Sequence, residues 1–520
     1  MNILQDNQHH NRTLTAIVAA AFCMPFATGF FGMMPLDQSI IFEAAGRMQQ
    51  GDRLFSDFGI AYGLVPVLLQ TLLFEVTGIN WFSYVLHAAI FNAAFAFVIY
   101  DLLRIMIPGH RSNRIVATLL IAWAFYPMFG TAFLDNHSFF FGIAAWWMAV
   151  RAFDSGKYQL LVWCCPLLVL GFYSKPLPAI FWLIPVLFEI VTHLRTFSNF
   201  AKWIAAGIAF GLIVGLLPFI VFDSAAFWYY IVELPYYIGK DRLGGSLPSR
   251  VLESMGEHFK IWIPTFAFLL FLLLVRGVPR QRSEKQLWWS MFVVMMITII
   301  GAGITANAFN NNTAPVFILV FFVSYSLYSR TGDSIKMRRI IRWMATAMMV
   351  YYAVYISVYN LTRRVHDIYF NTNDLKNYSP VLGLYLKTEH NLYTVRDIDR
   401  LHKIMQSNKC LYIGDLFCMY SLSKQPNPWP ISHLHDGTSY SSRDQKVYAQ
   451  LKTRLLQNLQ REGARVFIED VTWHKDEPLV KDLQVLKGRL TDSFGNISVF
   501  ELDAGRLEQM LSTLNSNSEK

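Results

Sequence analysis

The pattern of apolar and polar positions divides the chain into two parts. Long apolar runs recur through the first 360 residues and are rare in the last 160. A membrane-spanning helix needs about 20 predominantly apolar residues. The runs that reach or approach this length cover 13–34, 81–106, 115–133, 138–153, 159–174, 176–194, 203–222, 259–276, 287–306, 315–329 and 342–360. The pattern therefore predicts an α-helical polytopic membrane protein with about 11 transmembrane helices.

One further apolar stretch, 60–78, is interrupted by Gly63, Pro66 and Glu75. We interpret it as a re-entrant or interfacial segment. It belongs to a long predicted outer loop, 35–80, and a second such loop covers 223–258. Long loops in compact proteins are often functional, so both loops are candidate positions for a site.

The polar region after residue 360 has the alternation of strands and helices that is typical of an α/β domain. Strand-like runs at 410–415, 465–470 and 497–502 accompany a helical stretch near 441–462. This spacing predicts a small open sheet with helices. We therefore expect two domains, a transmembrane catalytic module at 1–360 and an extracytoplasmic α/β domain at 361–520.

Charge supports the same division. The chain has 45 basic and 36 acidic residues, which is 16% charged against 54% apolar, whereas a soluble domain carries roughly a quarter charged residues. Of the 81 charges (45 plus 36), 41 lie in 1–360 and 40 in 361–520. This distribution excludes a soluble multidomain enzyme, a disordered chain and a disulfide-rich secreted module.

Basic residues predict the topology. If the N-terminus is cytoplasmic, 17 of the 24 basic residues in 1–360 fall in loops on the cytoplasmic side, as the positive-inside rule requires. An odd number of spans then places the C-terminal domain outside the cytoplasm, and the first helix acts as an uncleaved anchor. The net charge of +9 thus reflects the lipid bilayer as a partner, with no nucleic acid implied.

Cysteine and histidine do not indicate a cofactor. Asp135 and His137 have the spacing of two metal ligands, but no third ligand accompanies them at a useful distance in sequence. The sequence requires no cofactor and leaves a divalent metal open. Cys410 and Cys418 share the polar domain, and whether they pair in a disulfide is also left open.

Three aspartates lie at the outer ends of predicted spans. Asp37 follows the first span, Asp57 comes twenty residues later, and Asp135 lies in the turn between the third and fourth spans. An ionisable group at the bilayer boundary is costly to desolvate, so each should have a partner or a function. The alternative is that they are solvated, or that Asp135 caps the next helix.

These aspartates belong to a longer pattern of residues. It comprises Asp37, Glu43-Ala-Ala-Gly-Arg47, Gly51-Asp52, Asp57, Tyr62, Pro66, Asp135, Gly171-Phe-Tyr-Ser-Lys-Pro176, Phe227-Trp-Tyr-Tyr230 and Arg242-Leu-Gly-Gly245. Over residues 13–260 the pattern resembles that of the GT-C glycosyltransferases, integral membrane enzymes such as the protein O-mannosyltransferases and the lipid A aminoarabinose transferases. Many of those enzymes carry Asp-Glu at the first motif, whereas here Gln38 follows Asp37.

The resemblance implies a GT-C-like fold and an inverting glycosyltransferase in the bacterial inner membrane. Such an enzyme moves a sugar from a polyprenyl-phosphate donor to a glycan, lipid or protein acceptor on the periplasmic face. It also implies that Asp37 is the base that takes the proton of the acceptor hydroxyl. A second carboxylate, if one is required, would come from Asp57 or Asp135.

Cations are expected to hold the donor phosphate as negative charge builds on it. Lys175 and Arg242 are the outer-face cations that the predicted topology favours for this role, and Lys240 is a further candidate. The alternatives are that Lys175 reaches from a helix end to the headgroups and that Arg242 is a solvated loop charge. Tyr62 and His137 complete the candidate substrate-binding residues.

Two other functions are compatible with many spans. A glycan polymerase or O-antigen ligase would use a pyrophosphate-linked donor and a large outer loop with several arginines, but the outer loops here contain Arg47, Arg53, Arg242 and Arg250 alone. A membrane transporter would have ionisable or broken segments at mid-membrane depth and internal symmetry, and the sequence has no internal repeat. The sugar, the acceptor and the role of the C-terminal domain are left open.

Overall fold

A computed structural model describes the chain over the following residues: 3–237, 249, 252, 259–277, 279, 281–305, 310–329, 335–364, 377–386, 393–432, 434, 436, 439–442, 444–470 and 476–518. Two compact units are present. The first, here the helical unit, comprises Met1–Gly29, Val85–Leu217 and Gly245–Arg363. The second, here the mixed unit, comprises Phe30–Tyr84, Pro218–Gly244 and Arg364–Lys520.

Helices dominate the described residues. In chain order they are α1 Ile3–Cys23, α2 Pro35–Gln49, α3 Leu64–Thr77, α4 Trp81–Met106, α5 Arg111–Trp123, α6 Leu134–Ser155, α7 Cys164–Ser174, α8 Pro176–Ala179, α9 Leu183–Thr192, α10 Phe197–Val221, α11 Ser224–Trp228, α12 Phe259–Arg276, α13 Arg282–Thr305, α14 Asn310–Ser329, α15 Ile335–Arg364, α16 Val395–Ser407, α17 Cys418–Leu422, α18 Gln445–Glu462, α19 Pro478–Leu483 and α20 Ala504–Ser518. The strands are β1 Tyr378–Ser379, β2 Leu384–Tyr385, β3 Cys410–Ile413, β4 Val466–Asp470, β5 Lys487–Phe494 and β6 Ile497–Leu502.

Each of the eleven apolar runs contains a helix, whereas α2 and four helices after residue 390, α16, α17, α19 and α20, were not predicted. By length and composition, Trp81–Met106, Leu194–Val221 and Ile335–Val358 are long and apolar enough to cross a membrane. The count of eleven spans stays a prediction. Helix α3, in the stretch interpreted as re-entrant or interfacial, has 14 residues. At 1.5 Å per residue it is about 21 Å long, shorter than the roughly 30 Å hydrocarbon core.

Apolar side chains from many helices form a large core in the helical unit. Helix α14 lies at its centre, since its residues from Val316 to Val323 are all buried. It packs against α5, α12 and α13. A helix that is buried on every side is apolar all round, which explains why the sequence of α14 shows no polar face.

Two glycines bring separate backbone segments into contact within the helical unit. A Cβ built on Gly130 would lie 2.1 Å from Cα of Gly29, and Gly130 has φ +70°. Glycine is required there by both the left-handed conformation and the close approach. The turn that contains Gly130 leads directly into α6, so this contact fixes where that helix begins.

The mixed unit contains the expected α/β sheet. Four strands lie in the order β3-β4-β6-β5, with β3 parallel to β4 and the other pairs antiparallel. Strands β3, β4 and β6 and helix α18 occupy the predicted positions. Strand β5 was not predicted, because it is an edge strand whose residues are mostly polar and exposed.

Cys410 in β3 and Cys418 in α17 are both buried and both free, so the question of a disulfide is answered in the negative for this pair. The mixed unit also contains α2 and α3 from the first predicted outer loop. Here α2 packs against α3 and α17. The division of the chain at residue 360 stays a prediction.

We predict that Gly130→Ala lowers the thermal stability of the protein more than Gly156→Ala does. Gly156 has a similar φ of +67° but nothing within 4 Å of a built Cβ. Gly156→Ala, the control, therefore loses about 1 kcal/mol of stability from the left-handed conformation alone. Gly130→Ala loses roughly 1–3 kcal/mol more, because its methyl group overpacks the contact with Gly29. Unfolding of the two variants in detergent, followed by intrinsic fluorescence, measures the difference. Equal losses in the two variants would contradict the close backbone contact.

Candidate active site

Asp135 and Lys175 form an ion pair within the helical unit. Asp135 lies in the first turn of α6 and is 2% exposed, while Lys175 directly follows the last residue of α7. Lys175 Nζ lies 2.9 Å from both carboxylate oxygens of Asp135. Helix capping by Asp135 is not observed, since the N-cap position of α6 is Phe133 and has no side-chain hydrogen bond. The two candidates thus act on each other, although 40 residues separate them in sequence.

The packing of α6 against α7 holds this ion pair in place. Ser138 Oγ donates a hydrogen bond to the carbonyl oxygen of Lys175 over 2.8 Å. Gly171 faces α6, where a built Cβ would lie 3.3 Å from the carbonyl oxygen of Ser138. Glycine permits this approach of the two helices. The side chain of Lys175 keeps 24% of its surface exposed, and an ammonium group has three hydrogen-bond donors.

His137 is fully buried and makes hydrogen bonds through both ring nitrogens. Its Nε2 lies 2.9 Å from Nε2 of His87, and its Nδ1 lies 2.9 Å from the carbonyl oxygen of Phe133 and 3.1 Å from the hydroxyl of Tyr126. Binding of a ligand by either nitrogen would break one of these hydrogen bonds. The structure therefore favours a positioning role for His137 at the start of α6.

The described part of the chain contains no group of three or more His, Cys, Asp or Glu side chains that could hold a metal ion. Among these residues, His87 and His137 have no third side chain of these types beside them. A divalent metal is left open.

Asp37 lies in the first turn of α2 in the mixed unit. A carboxylate in the first turn of a helix interacts favourably with the positive end of the helix dipole. The next residue, Gln38, is fully buried, and its Oε1 accepts a hydrogen bond of 2.6 Å from the backbone N–H of Met34. Gln38 therefore satisfies one of the free N–H groups at the helix start. Its position, where many GT-C enzymes have a glutamate, is used here for structure.

Glu43 fixes α2 against the C-terminal part of the mixed unit. It is fully buried, and its Oε2 accepts hydrogen bonds from Ser421 Oγ at 2.6 Å and from Ser421 N at 3.1 Å. Its Oε1 accepts a third, of 2.8 Å, from Asn427 Nδ2. Burial raises the pKa of Glu43 to about 7, because these hydrogen bonds and the charge of Arg47 only partly offset the loss of hydration.

Arg47, one turn further along α2, is 3% exposed. Its Nε lies 2.7 Å from Asp52 Oδ2, and one terminal nitrogen donates to the carbonyl oxygen of Trp429 over 2.6 Å. The guanidinium group lies 4.1 Å from the centre of the Phe58 ring. Arg47 therefore joins the end of α2 to the following loop and to the C-terminal segment.

Asp57 is engaged by Arg53 within the first predicted outer loop. Its carboxylate accepts hydrogen bonds from Arg53 N at 2.8 Å and from Arg53 Nε at 3.2 Å. Partial burial alone would raise the pKa of Asp57, but the hydrogen bonds and charge of Arg53 outweigh it and lower the pKa. A carboxylate of lowered pKa is a weaker base, so the geometry favours a turn-stabilising role.

Of the other candidates, Tyr62 lies half-buried in the loop before α3. Lys240 and Arg242 lie outside the described residues. The structure thus brings together Asp135 and Lys175 in the helical unit, while Asp37, Asp57 and Tyr62 belong to the mixed unit.

Sequence reasoning missed the partners of these residues. His87 gave a usable signal, since it is a lone histidine in an apolar run. Glu43 and Arg47 gave another, because a spacing of four places them on one face of a helix. Ser421, Asn427 and Trp429 gave none, since they lie nearly four hundred residues from the helix that they contact.

Solved structures share this fold. ArnT from Cupriavidus metallidurans in the apo state matches with a TM-score of 0.54 and 12% identity, over 97% of this chain and 99% of that chain. ArnT from the same organism bound to undecaprenyl phosphate matches with a TM-score of 0.53 and 14% identity, over 95% and 98%. The chain therefore shares the fold of these two structures over nearly its entire length, and the expected fold, many helices followed by a C-terminal α/β domain, is confirmed.

The oligosaccharyltransferase from Archaeoglobus fulgidus, in a complex with Zn and sulfate, matches with a TM-score of 0.46 and 10% identity, over 88% of this chain and 68% of that chain. No protein-family model matches the sequence, and no curated protein matches it.

We predict that the Glu43 carboxyl makes stability fall as pH rises. With its pKa raised to about 7, Glu43 keeps this proton in the folded state up to about pH 7, whereas the unfolded chain releases it near the ordinary glutamate pKa of 4.5. Folding therefore binds a proton between these values, so the contribution is fully present below about pH 4.5 and lost as pH passes 7. The shift corresponds to about 3 kcal/mol.

The measurement compares unfolding temperatures of the wild type and Glu43→Gln in detergent from pH 5 to pH 8. The wild type should lose stability relative to the variant as pH rises across this range. Glu508→Gln, which changes an exposed glutamate, is the control and should follow the wild type. A constant difference between wild type and Glu43→Gln at all pH values would show that Glu43 does not titrate there.

We also predict that Lys175→Met destabilises the protein by about 3–5 kcal/mol, since it leaves the buried carboxylate of Asp135 without its cation. Adding Asp135→Asn in the same chain should restore most of the loss. Lys157→Met, at an exposed lysine, is the control. Chemical unfolding in detergent tests the pair, and a double variant no more stable than Lys175→Met would argue against a structural ion pair.

Proposed function

We propose that the protein is an inverting glycosyltransferase that takes a sugar from a polyprenyl-phosphate donor. The observation that supports this most strongly is the fold match with ArnT over nearly the whole length of both chains. ArnT has been crystallised with undecaprenyl phosphate, which is the lipid part of such a donor. The acceptor would be an envelope glycan, lipid or protein.

The reaction is a displacement at the anomeric carbon of the sugar. The acceptor hydroxyl oxygen attacks this carbon from the face opposite the phosphate, the bond from carbon to phosphate oxygen breaks, and the polyprenyl phosphate leaves with the electron pair. The configuration of the anomeric carbon is inverted, because the acceptor oxygen enters on one face and the phosphate leaves from the other. The enzyme must remove the proton of the hydroxyl and stabilise the charge on the phosphate.

Asp37 is the proposed base. It lies half-buried in the first turn of a helix that is held rigidly by Glu43 and Arg47. A base on a rigid element keeps its distance from the acceptor hydroxyl, and such positioning accounts for a large part of enzymatic rate acceleration. Asp57 and Asp135 are less suited to this role, because Arg53 and Lys175 already engage their carboxylates.

Lys175 is the proposed phosphate ligand among the described residues. Asp135 holds its ammonium group in place, the side chain is 24% exposed, and a positive charge beside the donor would stabilise the departing phosphate. Arg242 and Lys240 are further proposed phosphate ligands on the basis of the sequence alone. Asp135 is then a positioning residue that acts through Lys175.

The proposed location is the bacterial inner membrane. The distribution of basic residues favours a cytoplasmic N-terminus and a periplasmic C-terminal domain. Polyprenyl-phosphate sugars are embedded in the bilayer, so a catalytic module made of apolar helices meets them at headgroup depth. Transfer on the periplasmic face follows from this topology.

We predict that Asp37→Asn abolishes sugar transfer and leaves a folded protein. The asparagine has the same shape but cannot take the proton, and the loss of a general base costs about a hundredfold to ten-thousandfold in rate. The assay follows radiolabelled sugar from polyprenyl-phosphate donors into membrane acceptors, with thermal unfolding as the test of folding. Asp476→Asn, at a carboxylate that is 97% exposed, is the matched control. Full activity of Asp37→Asn would rule out this base, and consumption of a diphosphate-linked donor would contradict the donor class.

A further inference from the structure

A cavity of about 180 Å³ lies within the mixed unit. One wall comes from the helical segment that follows α10, and the other from α18 and the loop before it. Its lining includes Tyr229, Tyr230, Ser439, Tyr440, Gln450 and Arg454. None of these is a candidate residue for the transfer reaction, so the cavity has no function assigned so far.

Aromatic faces form much of this lining. Tyr229 and Tyr230 have ring centres 5.0 Å apart and planes at 77° to each other. Tyr229 is half-buried and presents the more accessible ring, whereas Tyr230 is 7% exposed and packs against Gly59. The negatively polarised face of an aromatic ring attracts C–H groups that carry a partial positive charge. A sugar ring has a face of such C–H groups, and its hydroxyls point outward around its edge.

Two neutral polar side chains accompany the aromatic rings. Gln450 and Ser439 can each donate and accept hydrogen bonds, whereas Arg454 can only donate. Hydroxyl groups also donate and accept, so this mixture matches a polyhydroxylated ring. Gln450 is exposed, which leaves the cavity open to solvent at that position.

The charges around the cavity do not favour an anion. Arg454 is the charged residue of the described lining, and acidic groups stand nearby. Burial raises the pKa of Tyr229, and the charges of neighbouring groups that include Asp444 and Glu233 raise it further. The hydroxyl of Tyr440 donates to Glu477 Oε2 over 2.6 Å. Among the described residues, these three carboxylates outnumber the two nearby cations, Arg454 and Arg47, whose charges both act on Tyr230, so the surroundings do not favour a phosphate.

The size of the cavity limits its ligand. Sites for drug-sized molecules have volumes of roughly 300–1,000 Å³, and this cavity is smaller, with room for one sugar ring. We propose that the cavity binds a neutral sugar ring of the acceptor, so that the acceptor is a glycan or carries one. This proposal rests on the proposed transferase function and specifies its substrate class.

A binding experiment tests the site without any turnover. Full-length protein is placed in lipid nanodiscs, because maltoside detergents would themselves supply a sugar. Saturation-transfer NMR then measures contact with maltose, lactose and N,N′-diacetylchitobiose, and inorganic phosphate is the anionic probe in a parallel competition. We expect at least one disaccharide to bind and phosphate not to compete with it.

Variants assign the signal to the cavity. Tyr229→Ala should abolish the disaccharide signal and Tyr229→Phe should retain it, because the ring face is kept. Gln457→Ala, at an exposed glutamine on the same helix that does not line the cavity, is the control and should bind normally. Absence of disaccharide binding, binding unaffected by Tyr229→Ala, or phosphate binding that Arg454→Ala removes would overturn the proposal.

Steady-state kinetics distinguish a cavity that binds the acceptor from one that binds the donor. Gln450→Ala should raise the KM for the acceptor about tenfold, as expected for a lost hydrogen bond, and leave the KM for the donor unchanged. A rise in the donor KM instead would overturn the assignment to the acceptor. Asp37→Asn should lose transfer and keep disaccharide binding. Disaccharide binding by a wild-type protein that uses no polyprenyl-phosphate sugar would refute the transferase function and leave the cavity as a sugar site.

Discussion

The hydrogen bonds of the buried Glu43 carboxylate fix helix α2. Its two oxygens accept hydrogen bonds from Ser421 and Asn427, and Ser421 lies 378 residues later in the chain. A buried carboxyl group without such partners costs several kcal/mol, so these donors favour the position of α2 in which they reach Glu43. Asp37 lies on the same helix, nearly two turns earlier. The orientation of the proposed base is therefore set by residues of the C-terminal region, which gives that region a role in holding Asp37 in addition to the acceptor binding proposed for it.

The carboxylates of this protein show how surroundings decide what an acidic residue can do. Glu43 is surrounded by neutral donors, and burial raises its pKa to about 7. Asp57 lies beside the guanidinium group of Arg53, and its pKa is lowered. Asp135 shares its charge with Lys175 at 2.9 Å. Each of the three has a structural role: Glu43 anchors a helix, Asp57 closes a turn and Asp135 joins two helices. Other residues of the protein therefore already engage their carboxyl groups.

Local patterns were sufficient to predict the helices of the eleven apolar runs, helix α18 and most of the four-stranded sheet. A long run of apolar residues indicates a buried helix, whichever distant residues it packs against. Strands β3, β4 and β6 are likewise recognisable from their own apolar residues. The polar edge strand β5 does not. The ion pair was missed although both members were identified, because Asp135 and Lys175 belong to different helices and only the packing of α6 on α7 brings them together. The contacts of Glu43 had no signal in the sequence at all, since a serine and an asparagine in a polar region are unremarkable until the fold places them beside a buried acid.

The departure at Gln38 gains a physical explanation from these contacts. Its Oε1 accepts the N–H of Met34 at the start of α2, a task that a glutamate could also perform as an acceptor. Glutamine keeps the acceptor and omits the charge, so the first turn of this helix has one carboxylate, Asp37, where Asp-Glu would supply two. A second carboxylate would have to come from Asp57 or Asp135. Releasing either one from its cation would leave an unpaired charge and so lower the stability of the protein. For Asp57 this cost is small because the turn is partly exposed, whereas for the buried Asp135 it is large. A leaving group as stable as a lipid phosphate requires little assistance from a general acid, so these constraints together favour a mechanism in which Asp37 acts as the single base and the cations stabilise the departing phosphate.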